Sequence, residues 1–316
     1  MLKSKVVRGI GLVALLLVAA WYASRHFNDL GQLRHFNRHY LVPLLLVHVA
    51  TLGLNGWMNR ELIARLGVKL PVLHWYGLAA VNALGNYLPL PQAGAAMRGA
   101  YLKRLHQLGY RRYAATVLFM YVLSLVIVGL AGLAALVELR SRGGRAAWWA
   151  WGVFWGLASL ALLLVPGAAR LVPGKRLAEF AEGYRALAHG GLIARMVVAR
   201  VVLIGVNASG IWLAYHSIGR PVGWVSSLVV SLATMASGVV NVTPGNTGTS
   251  EAAAYGAAAA IGEDRATAVN AALVFRLTAA VVVFTLGPLF IALLRPKGQP
   301  EAHGAKAPVA PAAESL

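Results

Sequence analysis

The chain has 316 residues, 59% of them hydrophobic and only 12% charged, with a formal net charge of +19. Several apolar runs reach the ~20 residues that a bilayer-crossing helix needs, which defines a polytopic α-helical membrane protein; the longest polar interval, Ala168 to Gly191, is too short to bury a core of its own. Cysteine is absent, which excludes disulfides, a thiol nucleophile and cysteine-based metal sites, and the basic residues flank apolar runs, so the positive charge reads as membrane-surface loops and not as a nucleic-acid footprint.

In chain order, Lys3, Lys5 and Arg8 precede an apolar run from Ile10 to Ala23. No A-x-A site follows, so this run reads as a retained first helix and not a signal peptide. A basic loop (Arg25, Arg34, Arg38) leads to a second span, Tyr40 to Met58. Pro71 to Leu90 is apolar and runs into Pro89-Leu90-Pro91-Gln92-Ala93-Gly94, after which come Arg98, Lys103, Arg104, Arg111 and Arg112. Tyr113 to Val137 is a further span, and Ala146 to Pro166 another, with Trp148, Trp149, Trp151 and Trp155 as interface anchors. A charged connector precedes a span from about Arg195 to His216. The connector between Arg170 and Arg195 suits a membrane-surface amphipathic helix or a docking surface. Gly223 to Val242 and Thr249 to Ile261 flank Thr243-Pro244-Gly245-Asn246-Thr247-Gly248, and Ala266 to Leu294 is the last span. The remaining Ala/Pro/Lys/Glu-rich tail, residues 296–316, reads as disordered.

The segments around Pro91 and Pro244 are broken twice over, by proline and by glycine. Unpaired backbone at membrane depth survives only where protein or a water-filled cavity covers it, and such broken helices carry substrate sites in transporters. The two breaks are also related. A shift of 153 positions places Pro91 on Pro244, and Ala83, Gly85, Ala100, Gly109, Arg112 and Ala115 on Ala236, Gly238, Ala253, Gly262, Arg265 and Ala268. A constant offset with matching breakers predicts an internal duplication, with repeat one at about 5–138 and repeat two at about 146–295 of a membrane domain covering 1–295.

Topology follows from Lys/Arg counts. If both broken segments cross fully, inside and outside loops hold 13 and 14 basic residues; if both are re-entrant hairpins, the counts become 19 and 8. The positive-inside rule selects the second arrangement. The expected fold is therefore all-α, with six spanning helices plus two re-entrant hairpins in an inverted repeat and both termini cytoplasmic.

Each break should let a helix begin within the membrane, near Gly94 and near Gly248, where unpaired N–H groups and the positive dipole end favour an anion. Pro89, Pro91, Gly94, Pro244, Gly245 and Gly248 are the structural breaks. Arg98 sits in the first turns of such a helix, against its dipole, and is assigned to substrate binding. Glu251, three residues after Gly248, fits the acidic half of a capping box and equally a ligand or proton site. Arg276 lies deep in the last span, where a charge faces a cavity or a partner, so it either binds substrate or pairs with Glu251. Asn86, Gln92, Asn241, Thr243, Asn246, Thr249 and Ser250, with Asn82, supply polar groups that together suit a cavity at the repeat interface. Arg200 reads as a residue snorkelling to the membrane surface. His35 and His39 stand in a basic loop without an acid and do not read as metal ligands. No nucleotide-binding glycine loop, hydrolase constellation or paired catalytic carboxylates occur, so neither an enzyme nor a cofactor or metal is expected.

Pro244-Gly245-x-x-Gly248-x-x-Glu251, the earlier proline-rich break with Arg98, and Phe275-Arg276-Leu277-Thr278 ahead of Gly287-Pro288 resemble the flippase-like membrane domain that forms the transmembrane region of bacterial lysylphosphatidylglycerol synthases and also stands alone. The resemblance covers about residues 5 to 295. This chain has Asn246 where the family usually has glycine, and Phe119 to Ser124 where it often carries charges. The resemblance implies an inner-membrane protein that moves a phospholipid or polyprenyl-phosphate-linked lipid between leaflets; aminoacyl-transfer activity is not implied. Two other classes share the residue pattern. One is a secondary transporter of a small anion, and the other is a non-transporting partner of a glycosyltransferase or lipid-modifying enzyme.

Overall fold

The computed structural model describes residues 36–88, 92–170, 186–187, 189–240 and 243–294. The expected first span Ile10 to Ala23, Pro89, Pro91, Asn241, the connector 171–185 and the tail 296–316 lie outside these residues. Nine α-helices and no strand occur among the described residues. They are α1 (Leu41–Arg65), α2 (Val72–Gly85), α3 (Ala93–His106), α4 (Tyr110–Ser141), α5 (Trp148–Arg170), α6 (Gly190–Ser217), α7 (Trp224–Val240), α8 (Thr249–Ile261) and α9 (Arg265–Leu293). Short 3-10 turns precede α1 (Arg38–Tyr40) and α8 (Pro244–Asn246).

Four stretches are long and apolar enough to cross a bilayer: Arg38–Arg65, Tyr110–Ser141, Gly190–Ser217 and Arg265–Leu293. At 23 residues, α5 also has the length. The remaining four helices are short. α2 and α3 have 14 residues each, or about 21 Å at 1.5 Å per residue, against a hydrocarbon core of about 30 Å.

The short helices form two hairpins. In the first, His74 near the start of α2 lies 6.4 Å from Tyr101 late in α3, ring centre to ring centre, while Gly85 and Gly94 touch at the closed end. α7 and α8 also pack against each other, and Val229, Val230, Leu232, Ala254, Ala257 and Ala258 belong to one buried cluster. The small alanines of α8 allow this close approach, the usual device where lipid offers no hydrophobic drive to association. Between α4 and α5 the same device is a glycine: a Cβ on Gly132 would lie 2.1 Å from the Phe154 ring.

The hairpins open at opposite ends of the bundle. One end gathers the end of α1, the open end of the first hairpin, the start of α4 and the end of α9, through Ile63, Leu70, Leu102, Tyr113 and Leu294. Arg195 at the start of α6 joins this end by an ion pair to Glu61 at 2.8 Å. At the other end, Asn37 N–H donates to Ser217 C=O (2.8 Å) and Ala147 N–H to Ala260 C=O (2.8 Å). Tyr215, Val222 and Asp264 line a common surface pocket there.

A shift of 153 residues carries α2 to 225–238 and α3 to 246–259, within three residues of the bounds of α7 and α8. It also carries Gln92 to Gly245, and these two residues share the left-handed conformation, at φ 57° and 59°.

Candidate functional site: a polar cavity where two hairpin tips meet

Two glycines close the first hairpin. A Cβ on Gly94 would lie 2.0 Å from the Asn82 carbonyl oxygen, and one on Gly85 would lie 2.6 Å from the Gly94 Cα. No larger residue fits either place without parting the arms. Gln92 then enters α3 from the left-handed region, a strained conformation for a residue with a side chain, and its Oε1 accepts a hydrogen bond from Tyr121 Oη.

The second tip is tied to α9. The Glu251 carboxylate accepts from Gly248 N–H at 2.8 Å and from Ser250 Oγ at 3.1 Å. It also faces Arg276, with Nη1 at 2.7 Å from Oε1 and 2.8 Å from Oε2. Glu251 therefore does both things that the sequence left as alternatives to ligand binding, capping α8 and pairing with Arg276. Asn246 Nδ2 donates to Ser237 Oγ (3.1 Å), and Thr249 Oγ1 donates to Asn246 C=O (3.1 Å).

The tips touch. Gly245 N–H donates to the Asn86 carbonyl at 2.8 Å, and a Cβ on Gly245 would lie 2.6 Å from the Tyr87 ring. At this junction lies a cavity of about 420 Å³ bounded by residues of α1, α2, α3, α4, α6, α7 and α9. Of the residues expected from sequence, Asn86, Gln92, Arg98, Gly245 and Asn246 line it, as does Asn82. Thr243, Thr249, Ser250, Glu251 and Arg276 are not among its described lining residues.

Arg200 also lines the cavity. It is 9% exposed, so it does not snorkel to the surface as its position in the sequence suggests. Its Nε has no hydrogen-bond partner. Arg98 is 8% exposed; its Nε donates to Tyr113 Oη at 2.8 Å and its guanidinium sits 5.5 Å from the centre of that ring. Among the described residues no carboxylate pairs with either arginine, and none lines the cavity.

Sequence reasoning also missed the α1 wall, where His48, Thr51, Asn55 and Asn59 line the same cavity. Their spacing of three or four within an apolar helix was the available signal, since it places all four on one face. His48 Nε2 is hydrogen-bonded to Thr278 Oγ1 at 3.0 Å, which ties this wall to α9.

The fold and site define a multi-pass membrane protein with a cationic, amide-rich cavity at the junction of two broken helical segments. The chain belongs to the Lysylphosphatidylglycerol synthase TM region family, which matches residues 6–287. No curated protein matches it.

Proposed function

We propose that this protein is a lipid translocase of the bacterial inner membrane, moving a phosphate-bearing lipid between leaflets while the acyl or prenyl tail stays in the hydrocarbon. In this reading α2–α3 and α7–α8 are re-entrant hairpins of an inverted repeat. The end rich in basic residues (Arg60, Arg65, Lys69, Lys103 and Arg195) faces the cytoplasm under the positive-inside rule. The protein performs no covalent chemistry; the cavity binds and releases a headgroup by alternating access between the repeats.

The observation that carries the reading is the hydrogen bond from Gly245 to Asn86 with the cavity beside it. Two breaks from opposite ends of the bundle meet around buried polar groups. Family membership supports a lipid-related role. Glu251 and Arg276 hold the second tip against α9 and set where the cavity wall stands, while Arg98 takes the lipid phosphate.

Leaflet exchange of a fluorescent phospholipid in proteoliposomes, read by dithionite quenching of the outer leaflet, tests it. The intact protein should accelerate exchange, and Arg98→Ala, with folding checked by size-exclusion profile, should reduce it to the rate of protein-free vesicles. An intact protein that moves no lipid would sink the translocase reading.

A further inference from the structure

Two arginines, each at least nine-tenths buried, face one cavity that has no acidic residue among its described lining. A buried cation is ordinarily paired, because removing it from water is costly. Here the protein supplies Arg98 with a phenol and a ring face, and leaves Arg200 Nε without a hydrogen-bond partner among the described residues. The two lie at similar depth: Arg98 is about 12 Å of helix from His106 at the end of α3, and Arg200 about 15 Å from Gly190 at the start of α6. The negative charge that these guanidinium groups lack is therefore one a ligand brings.

The rest of the wall is neutral and amide-rich. Asn55, Asn59, Asn82 and Asn86 line the cavity, and Asn86 Oδ1 and Thr51 Oγ1 are buried without hydrogen-bond partners. Amide and hydroxyl groups that donate and accept are matched by hydroxyls. An ammonium would find the same acceptors, but it would stand beside two fixed cations with no carboxylate among the described lining to receive it, and like charges at short range in a cavity repel strongly.

We infer that Arg200, together with Arg98, binds the phosphate of an anionic lipid whose headgroup is an uncharged polyol, and that the cavity rejects amine-bearing headgroups, including the aminoacylated lipid after which the family is named. This rests on the translocase reading for its lipid substrate and deepens it by naming the headgroup class. It adds Arg200 as a specificity-determining residue. The planar fork of arginine suits two-point contact with phosphate oxygens, which lysine cannot reproduce.

The test uses the full chain purified in detergent and binding measured by thermophoresis. The probes are short-chain phosphatidylglycerol, phosphatidylethanolamine and lysylphosphatidylglycerol, with inorganic phosphate as the free-anion arm. Phosphatidylglycerol should bind about tenfold or more tightly than either amine-bearing lipid, and more tightly than inorganic phosphate. Arg200→Gln should weaken phosphatidylglycerol binding at least about tenfold, with Arg200→Lys recovering only part. Arg142→Gln, at an exposed pair with Glu138, should change nothing. If Arg200→Gln does not fold, Arg200→Lys against the two amine lipids still reads the discrimination. Equal or tighter binding of lysylphosphatidylglycerol, or unaltered binding in folded Arg200 variants, overturns the inference. Inorganic phosphate binding as tightly as the lipid overturns its lipid part. Headgroup discrimination without leaflet exchange in proteoliposomes would remove the translocase reading and leave this one standing.

Discussion

Gly94 and Gly256 both lie in short hairpin helices, yet a methyl group means opposite things at the two positions. At Gly94 the new Cβ would meet the Asn82 carbonyl oxygen at 2.0 Å, whereas at Gly256 nothing lies within 4 Å. Gly94→Ala should therefore lower stability by about 1–3 kcal/mol or more, the range for overpacking, because backbone cannot rotate away as a side chain can. Gly256→Ala should raise it by about 0.5–1 kcal/mol through helix propensity. Thermal unfolding in detergent checks both, and a Gly94→Ala protein as stable as the parent would deny the close approach of α2 to α3. Legibility at this scale was uneven. Pro244, Gly245 and Gly248 could be read because proline and glycine break a helix wherever they stand. Arg200's place in the cavity wall could not, because it depends on which face of α6 meets the bundle. The pattern exists in retrospect: Met196, Ala199, Arg200 and Leu203 are buried, while Val198, Val201 and Val202 are exposed. Every one of these neighbours is apolar, so hydropathy alone does not separate lipid from protein interior.

Among the elements, α9 has a defined start. Asp264 is its N-cap, accepting from Thr267 N–H at 2.8 Å. Hydrogen bonding by Thr267 holds the Asp264 carboxyl below its ordinary value of 3.8, against the opposing effect of partial burial, with help from nearby Arg220. A carboxyl lowered in the folded state contributes stability that is complete above the unfolded value and disappears as pH falls through the folded one. Asp264→Ala should thus cost about 0.5–2 kcal/mol at neutral pH, as lost caps do, and the gap between parent and variant melting temperatures should close as pH is lowered below about 4. A gap that stays constant down to pH 3 would show that the carboxylate does not cap α9. The hairpins themselves were legible as breaks in apolar runs, and Gln92 and Gly245, 153 positions apart, share the left-handed conformation. The polar stripe of α1 was not read, because His48, Thr51, Asn55 and Asn59 lie dispersed in a strongly apolar 25-residue helix. Asparagines in such helices ordinarily bond back to their own turn, as Asn55 and Asn59 do to Thr51 and Asn55 carbonyls at 2.9 and 2.7 Å.

At the scale of the whole molecule, the sequence supported an α-helical membrane protein from composition alone, and the structure adds how the ends are shared. The two hairpin tips meet by backbone, Gly245 to Asn86, and a backbone bond carries no side-chain signature in either segment. A cavity with no acid among its described lining has an electrical consequence. On the proposed translocase reading, Arg98 and Arg200 stay with the protein while the lipid carries its own charge across. With a cytoplasm negative relative to the outside, an anionic headgroup travelling outward gains about 2.3 kcal/mol per elementary charge for every 100 mV. A potassium diffusion potential across proteoliposomes should accordingly skew the steady-state leaflet distribution of phosphatidylglycerol and leave that of a zwitterionic lipid unmoved, as quenching of each leaflet would report. On that reading, export would draw on the voltage that the cell already maintains.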